Sequence, residues 1–154
     1  MKIRIDVEEN EVTAMARIRT NRKQTALLGR LMRAEAEGEG ETGMILVGIV
    51  GVNRVVAGCL DFEDIRTLQQ MIFQSPGGFE AVQSSYFYQK ARERDIRLAQ
   101  RVIQGERRDP ATNALWFFRP VGTCPGTWYN QSNSGQYKSH CFYIPTPQEC
   151  PDVY

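Results

Sequence analysis

QTALLGRLMRAEAEGEGETGMILVGIVGVNRVVA, residues 24–57, sets the architecture of this 154-residue chain. In its first half Leu27, Leu28, Leu31 and Met32 recur at helical steps, the pattern of a helix with one apolar face. The spacing predicts a helix over residues 24–36, ending near Gly38 and Gly40, where glycine takes up the left-handed cap conformation without strain. Beyond Thr42, read as an N-cap, residues 43–57 are apolar on nearly every side, with Gly48 and Gly51 a turn apart. Such a helix belongs at the centre of a molecule, closely packed all round.

Downstream, Asp61 is expected to cap a third helix over residues 61–74, with Phe62, Ile65, Leu68 and Ile72 on one face and Pro76, Gly77 and Gly78 closing it. A fourth helix over residues 88–103 turns Ala91, Leu98, Ala99, Val102 and Ile103 inward and Lys90, Arg92, Arg94, Arg97 and Arg101 outward. That basic face either meets an anionic partner or is solvated, with Glu93 and Asp95 pairing locally with Arg97 and its neighbours. After Gly105 the texture changes. Residues 115–118 (Leu-Trp-Phe-Phe) read as a short aromatic strand, residues 121–139 as turns around Trp128 and Tyr129, and residues 140–144 as a final strand. Upstream, residues 2–7 alternate as a possible edge strand. The layout is α+β, with residues 1–23 as an N-terminal extension and residues 24–154 as one domain, a helical body followed by an aromatic, loop-rich part.

Composition narrows the classes of function. Hydrophobic residues make up 42% and charged residues 24%, as in ordinary folded domains. The 19 basic and 18 acidic side chains leave a net charge of +1, too little for a dedicated polyanion binder, so nucleic acid is not an expected partner. The apolar run at residues 44–50 is broken by Gly48 and falls far short of the roughly 20 residues of a membrane-spanning helix. The N-terminus has no apolar region of the kind a cleaved signal peptide carries, so export by that route is not expected. Cys59, Cys124, Cys141 and Cys150 form no Cys-x-x-Cys pair; they make one or two disulfides, or are buried thiols.

The chemistry concentrates on Glu35. It follows Met32, Leu31 and Leu28 at helical steps, so its carboxylate extends the apolar stripe toward the interior. Burial disfavours the charged form and raises the pKa, which suits a proton donor such as a glycosidase general acid. The competing reading is a helix-end Glu that reaches water or pairs with a cation such as Arg54. Glu37, Glu39 and Glu41 alternate with small residues; they read as a solvated acidic turn, without the spacing of a calcium-binding loop. No Asp or Glu occurs between Pro110 and Gln148, the stretch richest in aromatic rings. The distribution suggests a groove with an acid on the helical side and aromatic faces opposite, where sugar rings stack and amides such as Gln74, Asn113, Asn130 and Gln131, with Tyr129, meet their hydroxyls. On a strand, Phe117 faces away from Trp116 and Phe118, so the run both fills the core and lines the groove. His140, the one histidine, lies beside Cys141 on a strand, which points the two side chains apart; a structural or groove-lining imidazole is expected. No motif requires a metal or cofactor.

A set of motifs then stands together: Arg33-Ala34-Glu35-Ala36-Glu37-Gly38-Glu39-Gly40, Val52-Asn53-Arg54, QSPGGFEAV from Gln74, Gly105-Glu106-Arg107-Arg108, NALWFFRP from Asn113, Trp128-Tyr129-Asn130-Gln131 and Lys138-Ser139-His140-Cys141-Phe142-Tyr143. In this order they resemble the spore cortex-lytic cell-wall hydrolases of the SleB/CwlJ family, nearer to the CwlJ branch, from about residue 24 onward. The resemblance implies a lysozyme-like fold related to lytic transglycosylases, acting on spore cortex peptidoglycan during germination. It places the catalytic role on Glu35, which opens a Glu-Ala-x-Gly-Glu pattern. The groove's expected substrate-binding residues are Gln74, Phe79, Trp116, Phe118, Trp128, Tyr129, Asn130 and His140. Glu80 stands where the SleB pattern has a hydroxyl residue, and Trp116-Phe117-Phe118 where it has a Tyr-rich strand. The CwlJ branch further implies residence in the spore coat, a GerQ-type partner and calcium dipicolinate as activator. The reaction is expected to be cleavage of the glycan after muramic acid, with Glu35 as acid and then base. Hydrolysis instead would call on a second carboxylate, Glu39 or Glu80; a non-catalytic wall-binding protein is the alternative of another class. A disulfide between Cys124 and Cys141 is expected in the coat-located protein, since the loop between them lacks regular structure.

Overall fold

The computed structural model describes residues 16–76 and 78–154; the edge strand expected over residues 2–7 lies outside them. Helix α1, Arg22–Ala36, starts at Asn21, whose side chain accepts the Gln24 N–H, and buries Leu28, Leu31 and Met32 completely. A turn of 3-10 helix, Glu37–Glu39, follows, and Gly40 (φ +83) redirects the chain in a conformation open to glycine. Helix α2, Gly40–Ala57, therefore has Glu39 as its N-cap rather than Thr42, which instead accepts a hydrogen bond from Arg108. α2 is buried along nearly its whole length and packs against α1; Gly48 lies against Met32 and Val102, and Gly51 against Met71. Its apolarity serves the core of the fold.

The helix expected over residues 61–74 is broken. Asp61 lies in a 3-10 turn, Leu60–Phe62, and α3 is only Leu68–Ile72. The break comes from Thr67 and Gln70, whose reciprocal side-chain bonds form a capping box and start the helix anew. Phe62, Ile65, Leu68 and Ile72 are all buried nonetheless.

The fourth helix, α4, is Glu93–Ile103, five residues shorter at its start than expected from residue 88. Tyr88 belongs to a 3-10 turn, Ser85–Tyr88. The Arg33 guanidinium donates to the carbonyls of Tyr86 (3.1 Å), Gln89 (2.6 Å) and Lys90 (2.8 Å), which occupies backbone acceptors just ahead of the helix. Asp95 does not pair on the surface with Arg97. It is fully buried, accepts the Arg92 N–H at 2.9 Å and pairs with Arg33 at 3.2 Å and Arg92 at 2.9 Å. Glu93 and Arg97 do face each other at the surface, 3.9 Å apart. Arg92, Arg94 and Arg101 of the basic face are engaged with Glu37, Glu41 and Glu106.

The C-terminal part is a small antiparallel sheet of β1 (Trp116–Phe118), β2 (Thr127–Trp128), β3 (Gln131–Tyr137) and β4 (His140–Ile144), in the order β1-β4-β3-β2. β3 falls within the stretch expected to be turns. Its residues, Gln-Ser-Asn-Ser-Gly-Gln-Tyr, carry no apolar alternation, and the register shifts between Asn133 and Gly135; pairing with β4 and β2 on either side makes it a strand. Helix and sheet are joined through α2. The Asn53 amide donates to the carbonyls of Ala111 (3.1 Å) and Ala114 (2.8 Å), and Arg54 Nε to that of Leu115 (2.8 Å), fixing the chain that enters β1. The cysteines form two disulfides, Cys124–Cys141 and Cys59–Cys150, the second tying the end of α2 to the segment after β4. The architecture is α+β, a helical body with the sheet laid against it.

Candidate active site

Between the helical body and the sheet runs a groove of about 1010 Å³. Glu35, on the last turn of α1, lines it together with Arg54 of α2, Phe79 and Ala81 of the following loop, and the aromatic strand β1. Two other carboxylates, Asp61 and Glu80, also line the groove, but both are exposed, whereas Glu35 is half-buried. Burial pushes the Glu35 pKa up. The Ala81 N–H, donating to Oε2 at 3.3 Å, and the neighbouring His140 and Arg54 oppose that rise, and Glu80 adds to it; the net direction is upward. Glu35 thus holds its proton into a higher pH range than an ordinary glutamate.

Arg54 is the cation foreseen near Glu35. Its guanidinium lies over the rings of Phe62 (4.6 Å) and Phe79 (4.5 Å), and burial lowers its pKa to about 10, with Glu35 and Asp61 acting the other way. It is a fixed positive charge at the groove wall.

The opposite wall is aromatic. Phe118 stacks on Trp128 at 4.6 Å between centroids, and Trp128 meets Tyr129 edge-on at 5.0 Å. Trp116 sits 6.1 Å from Phe62. Phe117 contacts the other set, Phe79 at 5.9 Å, His140 at 5.2 Å and Phe142 at 5.9 Å, so the two faces of β1 are separated as strand alternation requires. Tyr129 is 80% exposed at the turn into β3, a solvent-facing ring at the rim.

The structure therefore gathers Glu35, Phe79, Trp116, Phe118, Trp128, Tyr129 and His140 around one groove. It leaves out Gln74 and Asn130. The Gln74 amide is turned into the loop, donating to the Asp61 carbonyl at 2.8 Å, and Asn130 is a corner of the β2–β3 turn (φ +69). Asn113 is likewise spoken for, accepting from Arg107 at 2.8 Å, whereas Gln131 does line the groove. Arg54, Phe62 and Arg119 were not singled out as substrate contacts; Arg119 follows the aromatic strand directly, a position the alternation of β1 could have pointed to.

Glu39 departs from expectation most. It is 8% exposed, not a solvated member of an acidic turn. His140 Nδ1 lies 2.6 Å from its Oε1, while Oε2 accepts from the Ser139 N–H at 3.0 Å and from the Ser139 hydroxyl. Burial pushes Glu39 up, but these bonds outweigh it and hold the carboxyl below its usual range. Glu37 is engaged by Tyr86 and Arg92. Among the described residues no three His, Cys, Asp or Glu side chains come together as a metal site.

Comparison with known proteins places this chain in a family. Residues 38–143 match the Cell Wall Hydrolase family. The chain is 61% identical to the cell wall hydrolase CwlJ of Oceanobacillus iheyensis over 140 residues, covering 91% of this chain and 99% of that one. It is 63% identical to CwlJ of Halalkalibacterium halodurans and 55% identical to CwlJ of Bacillus subtilis, each over 91% of this chain and 98% of the relative. Among solved structures, the catalytic domain of Bacillus cereus SleB superposes with a TM-score of 0.64 at 25% identity, covering 82% of this chain and 95% of that one. The catalytic domain of the germination-specific lytic transglycosylase SleB of Bacillus anthracis gives a TM-score of 0.62 at 25% identity, over 81% and 96%. The lysozyme-like α+β fold and the extent of identity agree, and the chain belongs to the cell wall hydrolase family.

Proposed function

We propose that this cell wall hydrolase opens the glycan strand of spore cortex peptidoglycan during germination, with Glu35 as general acid and then base. The observation that carries the reading is Glu35 itself: a half-buried carboxyl with a raised pKa, at the wall of a groove whose other side is stacked aromatic rings. Sugar rings stack on Phe118, Trp128 and Tyr129, and the glycosidic oxygen is presented to Glu35. The acid protonates that oxygen as the C–O bond breaks, and an oxocarbenium-like centre develops on the muramic residue. The carboxylate left behind takes the proton of the attacking hydroxyl. If that hydroxyl is the sugar's own 6-hydroxyl, the product is a 1,6-anhydro end and the enzyme is a lytic transglycosylase.

Support for the transglycosylase route comes from the polar geometry. Glu39 is committed to Ser139 and His140 and is absent from the groove lining, and Glu80 is exposed on its loop, so neither has the setting of a fixed second carboxylate. The resemblance adds calcium dipicolinate as an activator, a GerQ-type coat protein as a partner and the outer spore layers as the location. These belong to the proposal and enter none of the chemical steps.

Glu35→Gln is expected to lower cortex cleavage at least about a hundredfold, the ordinary worth of a general acid. Mass spectrometry of the products distinguishes anhydro-muramic ends from reducing ends. Full activity in the variant removes Glu35 from the reaction, and reducing ends make the enzyme a hydrolytic muramidase.

A further inference from the structure

The loop that follows α3 lines the groove from Gly78 to Ala81 and brings its main chain up to Glu35. It is tightly wound: a methyl group at Gly78 would run into the Gln74 carbonyl oxygen, so only glycine fits there. Phe79, 8% exposed, anchors it. The Phe79 ring has the Arg54 guanidinium at 4.5 Å and stacks with Phe117 of β1 at 5.9 Å. Arg54 is itself set in place, with Nε donating to the Leu115 carbonyl at 2.8 Å and its guanidinium over Phe62 at 4.6 Å. Two residues past this anchor, the Ala81 N–H donates to Glu35 Oε2 at 3.3 Å. Side chains from α2 and β1 thus hold a loop whose backbone touches the carboxyl group of α1.

We propose that Arg54 and Phe79 are positioning residues that fix the Ala81 N–H as a backbone donor to Glu35, a bond that strengthens as Glu35 gives its proton to the glycosidic oxygen. The proposal rests on Glu35 being the general acid and deepens that reading. A hydrogen bond to an ionised acceptor is about twice as strong as one to a neutral acceptor. The donor therefore acts on the transition state, where charge develops on Glu35, more than on the bound substrate. In the acid form the oxygen held by Ala81 is the accepting one, which leaves the other oxygen to carry the proton. The same N–H opposes the rise that burial imposes on the Glu35 pKa. Arg54 from α2, Glu80 from the loop and His140 from β4 also face Glu35, and their charges are the same with or without that N–H.

The test removes that one N–H. In the full chain, with both disulfides formed, Ala81 is replaced by L-lactate, which turns the amide into an ester of nearly the same shape. On solubilised cortex glycan strands the ester protein is expected to lose kcat about tenfold, the worth of a hydrogen bond to a charged group, with KM within about twofold of the parent. Its kcat/KM is expected to persist to higher pH, because loss of the donor raises the Glu35 pKa and keeps the acid protonated longer. The carbon-13 resonance of the Glu35 carboxyl, identified by its absence in E35Q, reads the same shift without substrate. F79L, which takes away the ring that Arg54 holds, is expected to move kcat and that resonance in the same direction; the ester stands as a test whether or not F79L folds. Parental kcat in the ester protein, a change in KM alone, or a Glu35 titration that the ester leaves unmoved each overturns the proposal. An unmoved titration in folded F79L overturns the part assigned to Arg54 and Phe79. In all of these cases an inactive E35Q leaves the general-acid reading intact, whereas a fully active E35Q overturns both.

Discussion

Glu35 and Asp95 are acids placed on buried helix faces and put to opposite uses. Glu35 is left partly desolvated, with its pKa raised, so the form that donates a proton is lost as pH rises through that raised value. Cortex cleavage is therefore expected to fall on the alkaline side, and replacing Glu80 by Gln, which removes a neighbouring negative charge, should move that fall to lower pH in a kcat/KM profile. Asp95 is fully buried; burial pushes its pKa up, but the bonds from Arg92 and the charge of Arg33 outweigh this and hold it low. Its contribution to stability is present above the unfolded value, about 3.9, and is lost as pH falls through the lower folded one. Asp95→Ala should cost about 3–5 kcal/mol in urea unfolding at pH 7, because it strands Arg33 in the interior. The difference from the parent should shrink in strong acid. Glu35 was legible from helical steps to Leu28, Leu31 and Met32. Asp95 was not, because it sits among arginines that mark an outer face, and Arg33, which draws it inward, is 62 positions away.

Among elements, α1 and α4 approach so closely at Gly29 that a methyl group there would lie 2.8 Å from the Asp95 carbonyl oxygen. Gly29→Ala gains helix propensity yet is expected to destabilise by about 1–3 kcal/mol, because backbone rather than a pliable side chain must give way. A lower urea midpoint at an unchanged slope would be the signature. α1 and α2 could be read to within two or three residues, their ends at Ala36 and Ala57 included, since periodicity and glycine act locally; the start of α2 was missed because Gly40 turns the chain before Thr42. α3 was read too long: Thr67 and Gln70 restart the backbone beneath an apolar face that stays continuous in space. β3 went unread because nothing in Gln-Ser-Asn-Ser-Gly-Gln-Tyr favours a strand without the ladders of β4 and β2. For the site, aromatic content marked the wall, whereas Gln74 and Asn130 were amides with partners or turn duties already set by the loops around them.

At the scale of the whole molecule the two disulfides differ in span, 91 residues for Cys59–Cys150 and 17 for Cys124–Cys141. By loop-closure entropy the longer contributes about 4.5 kcal/mol and the shorter about 3 kcal/mol. Replacing Cys59 and Cys150 by Ser should therefore lower thermal stability more than replacing Cys124 and Cys141, as read by calorimetry of the two double variants. The longer bridge also has a mechanical meaning. It bolts the end of α2 to the segment after β4, so the helical side and the sheet side of the molecule are fastened by a covalent bond. That bond limits how far the two sides can part, so reducing Cys59–Cys150 is expected to loosen the groove between them as well as the fold.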